Sequence, residues 1–350
     1  MRDAETEFTV FEEWDLTSSP HHQPGSKPQN VSATEIFSNN GTLRAPSRLF
    51  FGRKVQSSSR HLIDKHDLKK RPYISTTSMD AELALLTANL ALAGPGGMFF
   101  DPFVGTGGFL VSAAEFGALT FGSDIDGRSF RGKGKGIERG VGANFGRYGL
   151  EHGLGDCIIS DLTNTPLRLS PVGRSGSGRW LDGILCDPPY GVREGLKVLG
   201  TRTNKVEAGK TGVHMIDGVP AHTREGYIAP KRPYSFSQML DDILDFAART
   251  LVDNGRLAFW MPTANEEDQE IGIPANLHLQ LVHCCVQPFN KWSRRLLVYR
   301  RRGTAEIENS AGMNGNGQTS QPKNSASTAD ELNPFRKRYF EGFRPSEAAS

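Results

Sequence analysis

The 350-residue chain is 37% hydrophobic and 23% charged, enough apolar content to bury one substantial core with room for a second small unit. Its 41 basic and 39 acidic residues leave a net charge of +2, so bulk charge does not announce a nucleic-acid partner. No apolar segment of the signal-peptide type and no run of about 18 apolar residues occurs, which argues against secretion and against a membrane span.

The four cysteines, Cys157, Cys186, Cys284 and Cys285, show neither CxxC spacing nor a nearby histidine cluster. They read as reduced, buried thiols of a cytoplasmic protein, not as zinc ligands or disulfides.

In chain order, residues 15–47 are polar and rich in Pro, Ser and Asn, and residues 303–350 have the same texture. Neither can offset the entropy of folding by burial, so both are expected to be a disordered linker and a disordered tail. Between them, strands are expected at 97–101, 119–124, 155–161, 180–187, 255–263, 277–289 and 293–301. Helices are expected at 78–92, 105–118 and 236–255, the last closed by an Asn-Gly stop. Strands alternating with helices predict an α/β fold, a mostly parallel sheet with helices on both faces. Ligands in such sheets sit beyond the C-terminal ends of the strands, where strand order reverses.

Four predicted strand ends carry unusual chemistry. The first is "DPFVGTGGFL" from Asp101, a glycine-rich strand–helix turn containing Phe103, Gly105, Gly107 and Gly108. Dinucleotide, nucleoside and purely structural readings share such a turn. This one lacks both GxGxxG and a terminal Gly-Lys-Ser/Thr, and Asp101 would repel a phosphate but suit an ammonium. A cationic amino-acid moiety fits better than a dinucleotide.

The second is Asp124, closing the next strand, where a carboxylate can take two ribose hydroxyls; Asp126 competes for the role. The third, Asp161, can accept from the exocyclic amine of an adenine, or can simply cap a turn.

The fourth is "CDPPYGV", residues 186–192. Two prolines stiffen the arm, and Pro189 holds Pro188 extended. Asp187 and the Pro188 carbonyl then form adjacent acceptors beside the flat face of Tyr190. That set suits a planar ring bearing an exocyclic NH2: the acceptors take the two hydrogens, the ring stacks, and the nitrogen lone pair is turned out of conjugation as a nucleophile.

"DPFVGTGG" followed by "DPPYGVRE" resembles the amino-methyltransferases that use S-adenosyl-L-methionine. Residues 51–92, 122–133, 254–263 and 284–301 resemble the catalytic subunit of eukaryotic tRNA (guanine-N2-)-methyltransferase, the family that methylates guanosine 10 of tRNA. The resemblance spans about 48–302. It implies a Rossmann-like class I methyltransferase domain over 48–302, with a mostly parallel seven-stranded sheet and an antiparallel final hairpin.

It further implies that Asp101, Phe103, Gly105, Gly107, Asp124 and Asp161 line the S-adenosyl-L-methionine site, with Ser78 and Met79 approaching from the preceding helix. Asp187, Pro188, Pro189 and Tyr190 would be the catalytic motif, and no metal is implied. Family members carry an N-terminal RNA-binding THUMP region; here only residues 1–14, chiefly "TEFTVFEEWD" from residue 6, resemble its last piece.

Two readings remain beside this one: an adenine-N6 or glutamine-N5 methyltransferase, whose acid-Pro-Pro-aromatic motif commonly begins with Asn, and a truncated module that binds RNA or a partner without catalysis. Basic runs at 67–71, 128–139 and 291–302 are either solvated faces or tRNA phosphate contacts. His214 and His222 are expected in a substrate-side loop.

In the implied sheet order the strand containing Cys157-Ile158-Ile159 lies at an outer edge with no Lys, Pro or inward charge to guard it. The resemblance supplies a partner for that edge: the small zinc-binding methyltransferase activator protein, in a heterodimer.

Overall fold

A computed structural model describes residues 6–14, 46–132, 139–171, 178–192, 196–200, 215–224, 230–265, 271–290, 292–304, 306–307, 333, 335–336 and 339. The linker expected at 15–47 falls almost wholly outside these residues, as do His214 and the side chain of His222.

The chain divides into two compact units, 1–62 and 63–350. In the first, β1 (Phe8–Glu13) pairs antiparallel with β2 (Arg48–Arg53), Phe8 standing opposite Arg53. The Phe8 and Phe51 rings stack at 5.4 Å, and both remain largely exposed. Residues 48–53, expected to open the methyltransferase domain, therefore pair with the segment that precedes the linker. The short α1 (His61–Lys65) straddles the division.

The second unit contains α2 (Ala81–Leu90), β3 (Met98–Asp101), α3 (Gly108–Glu115), β4 (Leu119–Asp124), α4 (Arg128–Arg131), α5 (Val141–Tyr148), β5 (Leu154–Ile159) and β6 (Leu181–Cys186). After two short antiparallel pairs, β7 (Lys197–Leu199) with β10 (Lys231–Pro233) and β8 (Met215–Ile216) with β9 (Val219–Pro220), come α6 (Phe236–Thr250), β11 (Leu251–Ala264), β12 (Leu279–Pro288) and β13 (Trp292–Arg301).

Seven strands form one sheet in the order β12-β13-β11-β6-β3-β4-β5. All run parallel except β13, which pairs antiparallel with both β11 and β12. This is the mostly parallel seven-stranded sheet with an antiparallel final hairpin that the sequence predicts. Among the described residues no helix is long and apolar enough to cross a membrane.

Both faces of the central strands are buried, and the period-2 alternation of side chains separates them. Phe100, Ile184, Leu257 and Phe259 pack with Met239, Ile243, Leu244 and Ala247 of α6. Their neighbours Phe99, Leu185, Ala258 and Trp260 pack with Ala84 and Ala88 of α2 and Phe109 and Ala113 of α3. The chain thus leaves β3 for one face and β6 for the other, which opens a crevice between their C-terminal ends.

The Asn-Gly pair at 254–255 does not stop α6, as expected, but sits inside β11. Asn254 takes a left-handed φ of 67° where the pairing with β6 jumps from Leu251 to Arg256. The helix ends at Thr250 and the strand begins at once, so the pair marks a β-bulge, a conformation as dependent on Asn and Gly as a helix stop.

Of the cysteines only Cys186 is fully buried; Cys157 is half-buried, and Cys284 and Cys285 are exposed. They lie on β12, the outermost strand on that side, where the sheet cannot cover them.

Close packing at the crossover rests on Gly183, which stands opposite Phe99 on the neighbouring strand. A Cβ there would lie 2.0 Å from a ring carbon of Phe99. Gly183→Ala should therefore destabilise the fold by about 1–3 kcal/mol, and Phe99→Leu in the same chain should recover part of that loss. Urea denaturation of the two single variants and the double variant measures the coupling; simple additivity would refute the contact.

Candidate active site

The turn after β3 is built around buried carboxylates. Asp101 is 1% exposed, and its Oδ1 accepts the Phe103 N–H at 2.9 Å. The Gly105 N–H donates to Asp124 Oδ2 at 3.1 Å, and the Asp126 N–H to Asp124 Oδ1 at 2.9 Å. The glycine turn and the end of β4 are thereby locked together.

From α5, the buried Asn144 amide donates to the carbonyls of Thr106 (2.9 Å) and Tyr73 (2.8 Å), and its Oδ1 accepts the Tyr73 N–H at 3.0 Å. Ser78 and Thr106 share a hydroxyl–hydroxyl hydrogen bond of 2.8 Å. Ser78 and Met79 do reach the site, but from the segment before α2, whose N-cap is Asp80, and not from within the helix.

Asp126 is engaged elsewhere. Arg128 binds it bidentately at 2.7 and 2.9 Å and holds its carboxyl at about 2. Asp124 lines the cavity; Asp126 does not. Asp161 also lines it, while its Oδ1 accepts the N–H groups of Thr163 and Asn164 at 2.8 and 2.9 Å and its Oδ2 accepts the Leu199 N–H at 2.6 Å. The capping role left open by the sequence is thus real, and Asp161 fixes both the following turn and β7.

Immediately after β6, Pro188 is buried and Pro189 exposed, and the Tyr190 hydroxyl donates to Asp187 Oδ1 at 2.6 Å. The Tyr190 ring meets Trp292 edge-on, centroids 6.2 Å apart.

These groups share one cavity of about 780 Å³. Of the residues expected there, Asp101, Phe103, Asp124, Asp161, Ser78, Met79, Asp187, Pro188, Pro189 and Tyr190 line its wall. Gly105 and Gly107 do not: Gly105 donates its amide to Asp124, and Gly107 caps α3.

Sequence reasoning missed Trp292, Arg294, Phe335 and Tyr339, all of which line the cavity. Arg294 lies 4.6 Å over the Trp260 ring and donates to Gln287 Oε1 at 2.6 Å.

The basic run 291–302 is consequently no RNA-facing patch as a whole. Arg295 is buried and donates to the Ile271 carbonyl, Arg300 pairs with Glu306, and buried Arg301 binds Asp253 and the Ala248 carbonyl. A strand paired on both sides turns such side chains into the fold. In the run 128–139, Arg128 is taken by Asp126, and residues 133–138 lie outside those described.

In the 303–350 tail, expected to be disordered, Asn333, Phe335, Arg336 and Tyr339 pack at this site, and Glu306 pairs with Arg300.

Electrostatically the cavity is an acid pocket. Burial pushes Asp101 well above the ordinary carboxylate value, and the Asp124 and Asp187 charges push it further. Burial raises Asp124 despite its three hydrogen bonds. Asp187 is pushed up to about 6 by burial, against the opposing Tyr190 hydrogen bond and Arg294 charge. Tyr190 is held well above its usual range by burial and by the neighbouring carboxylate.

A carboxyl raised in the folded state contributes stability at low pH, which is lost as pH rises through the folded value, here the interval from 3.8 to about 6. Asp187→Asn, which removes the buried charge, should raise stability by about 1–2 kcal/mol at pH 8 and leave it unchanged at pH 4. Denaturation at the two pH values reads this out; an equal effect at both would show that Asp187 carries no buried charge.

Residues 69–131 match the family described as UPF0020, RMKL-like, methyltransferase domain. The chain is 49% identical over 261 residues to the tRNA (guanine(10)-N(2))-methyltransferase of Saccharomyces cerevisiae, covering 75% of this chain and 58% of that protein. It is 40% identical over 316 residues to the protein of that name in Schizosaccharomyces pombe, covering 89% and 60%. With the corresponding human protein it shares 35% over 262 residues, covering 72% and 53%. The chain thus spans somewhat over half the length of the curated relatives it matches. With 35–49% identity over 72–89% of its length, the chain belongs to the tRNA (guanine(10)-N(2))-methyltransferase family.

Proposed function

We propose that this chain carries the catalytic domain of a methyltransferase that uses S-adenosyl-L-methionine to methylate the exocyclic N2 of guanosine 10 in tRNA. The observation that carries the reading is the meeting, in one cavity, of a buried acid set (Asp101, Asp124) with the Asp187–Tyr190 arm across the β3/β6 crevice.

The residues fit a cationic nucleoside. Five carboxylates, Asp80, Asp101, Asp124, Asp161 and Asp187, line the cavity, and none is neutralised by a lysine or arginine salt bridge among the described residues. Asp124 stands at the end of β4 to hold ribose hydroxyls, and Asp101 lies deeper beside the turn, where an ammonium would relieve its burial. When bound, the cofactor supplies an electrophilic methyl group on a sulfonium.

The chain's own residues do the rest. Ionised Asp187 and the Pro188 carbonyl accept the two amine hydrogens, so the nitrogen lone pair points away from the ring. When the cofactor is bound, formation of the N–C bond would be matched by cleavage of the sulfonium–methyl bond, whose electron pair leaves on a neutral thioether sulfur, and the amine proton then lost from the cationic nitrogen would pass to Asp187. A carboxyl near 6 suits that task, being ionised at neutral pH yet basic enough to take a proton. A guanine N2 in a stem lies in a groove, so the base must flip out to reach Tyr190.

The partner in this reading is the small zinc-binding activator protein. Among the described residues β5 pairs only with β4 and ends the sheet, and Ile159 at its end is 51% exposed. An unguarded apolar edge supports the addition of a partner strand by backbone pairing.

Incubating the chain and activator with total tRNA and labelled cofactor, followed by digestion, identifies the methylated nucleoside. N2-methylguanosine is expected; N6-methyladenosine would move the chain to the adenine class, and no product would leave a binding module. In that assay Asp187→Ala should cut transfer by roughly 10²–10⁴-fold with cofactor affinity nearly unchanged. Asp124→Ala should instead weaken cofactor binding by about 1.5–3 kcal/mol and recover at saturation.

For the partner, the chain alone should be poorly soluble and weakly active, and co-expression with the activator should restore both. Ile159→Lys should abolish co-purification with the activator. A soluble, fully active chain whose β5 amides exchange slowly without any partner would overturn this arrangement.

A further inference from the structure

The cavity's outer wall comes from a part of the chain that the sheet does not need. Asn333, 2% exposed, donates its amide to the Tyr190 carbonyl at 2.7 Å. The Arg336 guanidinium donates to the next two carbonyls, Gly191 at 2.7 Å and Val192 at 2.5 Å. Three successive carbonyls of the loop that follows the Asp-Pro-Pro-Tyr motif are therefore held by two side chains from beyond the last strand.

The two side chains are themselves tied, because the Arg336 N–H donates to Asn333 Oδ1 at 3.1 Å. Between them Phe335, 3% exposed, packs edge-on against Trp292 at 5.8 Å, and Trp292 in turn meets Tyr190. Tyr339 lies 6.2 Å from Phe335 and lines the cavity mouth.

The fit is mutual. Gly191 has φ 71°, and a Cβ on it would lie 2.6 Å from the Asn333 amide nitrogen. Only glycine satisfies both the backbone and the approach of the clamp.

We propose that Asn333, Phe335, Arg336 and Tyr339 form a positioning element of the active site: Asn333 and Arg336 lock the loop that carries Tyr190, and Phe335 and Tyr339 complete the aromatic wall against which the target base is seated. The loop needs such a lock. Within it the Tyr190 hydroxyl donates to Asp187, and two prolines remove amides that could otherwise anchor it to the sheet. A catalytic acceptor displaced by about 1 Å loses orders of magnitude in rate.

These contacts fall on the Tyr190 and Trp292 side, so the element serves the base. It deepens, and rests on, the methyl-transfer reading given above.

The test compares the full chain with a chain ending at residue 330 and with Phe335→Ala, Arg336→Ala and Arg336→Lys, each with its activator. Three quantities are read: cofactor affinity by calorimetry, single-turnover methyl transfer to tRNA, and amide exchange in the peptide covering 187–192. Truncation should leave cofactor affinity within about twofold, slow transfer at least about tenfold and speed exchange of the 187–192 peptide by a similar factor. A synthetic peptide of residues 331–343 added in trans should restore part of both, and Arg336→Lys, whose single ammonium carries three donors and can serve both carbonyls as Nη1 does, should recover part of the Arg336→Ala loss in rate.

Faster transfer after truncation would make the segment an inhibitory plug and overturn the proposal. So would an unchanged rate with unchanged exchange, or a matching loss of cofactor affinity. Because amide exchange needs no turnover, a chain inactive on tRNA whose 187–192 peptide still loosens on truncation would refute the methyl-transfer reading and keep the positioning element.

Discussion

The site depends on the reversal of strand order between β3 and β6. Neighbouring parallel strands there send their chains to opposite faces of the sheet, so neither loop covers the other, and the backbone at both strand ends is left facing a crevice. A carboxylate placed at each end, Asp101 and Asp187, is then buried by the sheet yet directed at whatever enters. Everything else in the site follows from the need to hold those two acids apart and correctly aimed. The Phe103 amide holds Asp101 and the Tyr190 hydroxyl holds Asp187, and neither bond restores the ordinary acidity that burial removes.

That residual mismatch is where structure becomes chemistry. A fully compensated carboxylate would be strongly acidic and a poor proton acceptor, while an uncompensated one would stay protonated and could accept no amine hydrogen. Asp187 lies between these limits, because burial raises it and two weaker opposing effects, the tyrosine hydroxyl and the Arg294 charge, pull it back to about 6. Asp126 shows the other limit on the same chain: bidentate pairing with Arg128 holds it at about 2, which suits a structural role near the α4 turn and no other.

The strands β3, β4, β5 and β6 were legible from the sequence because each is short and is ended or closely followed by an acid. The four acids were legible for the same reason, since acids at strand ends have no packing purpose. What escaped notice shares one cause, that local pattern does not report pairing partners. Asn254-Gly255 supplies a left-handed turn whether it ends a helix or bulges a strand, and only the β6 neighbour decides.

The arginines of β13 read as a surface patch because their charge is visible in the sequence and their neighbours are not. Flanked by β11 and β12, they bind carbonyls and acids of the fold instead. Asp161 was ambiguous for the opposite reason: one carboxylate has lone pairs enough both to cap a turn and to face a cavity.

The C-terminal residues take this furthest. Residues 303–350 have the composition of a chain that cannot build a core, and that inference is sound for a segment considered alone. It says nothing about a segment that borrows a core already built. Phe335 needs no hydrophobic neighbours of its own, because Trp292 and Phe289 already stand stacked beside the cavity at 4.6 Å. Asn333 and Arg336 need no secondary structure, because the prolines and Gly191 leave carbonyls of the catalytic loop without strand partners. A polar tail with one short aromatic and basic cluster, "NPFRKRYF" at 333–340, is therefore better read by asking which unsatisfied surface the folded domain offers than by asking whether the tail can fold. In this domain that surface lies at the mouth of the site, and the few residues that match it are the ones that reach it.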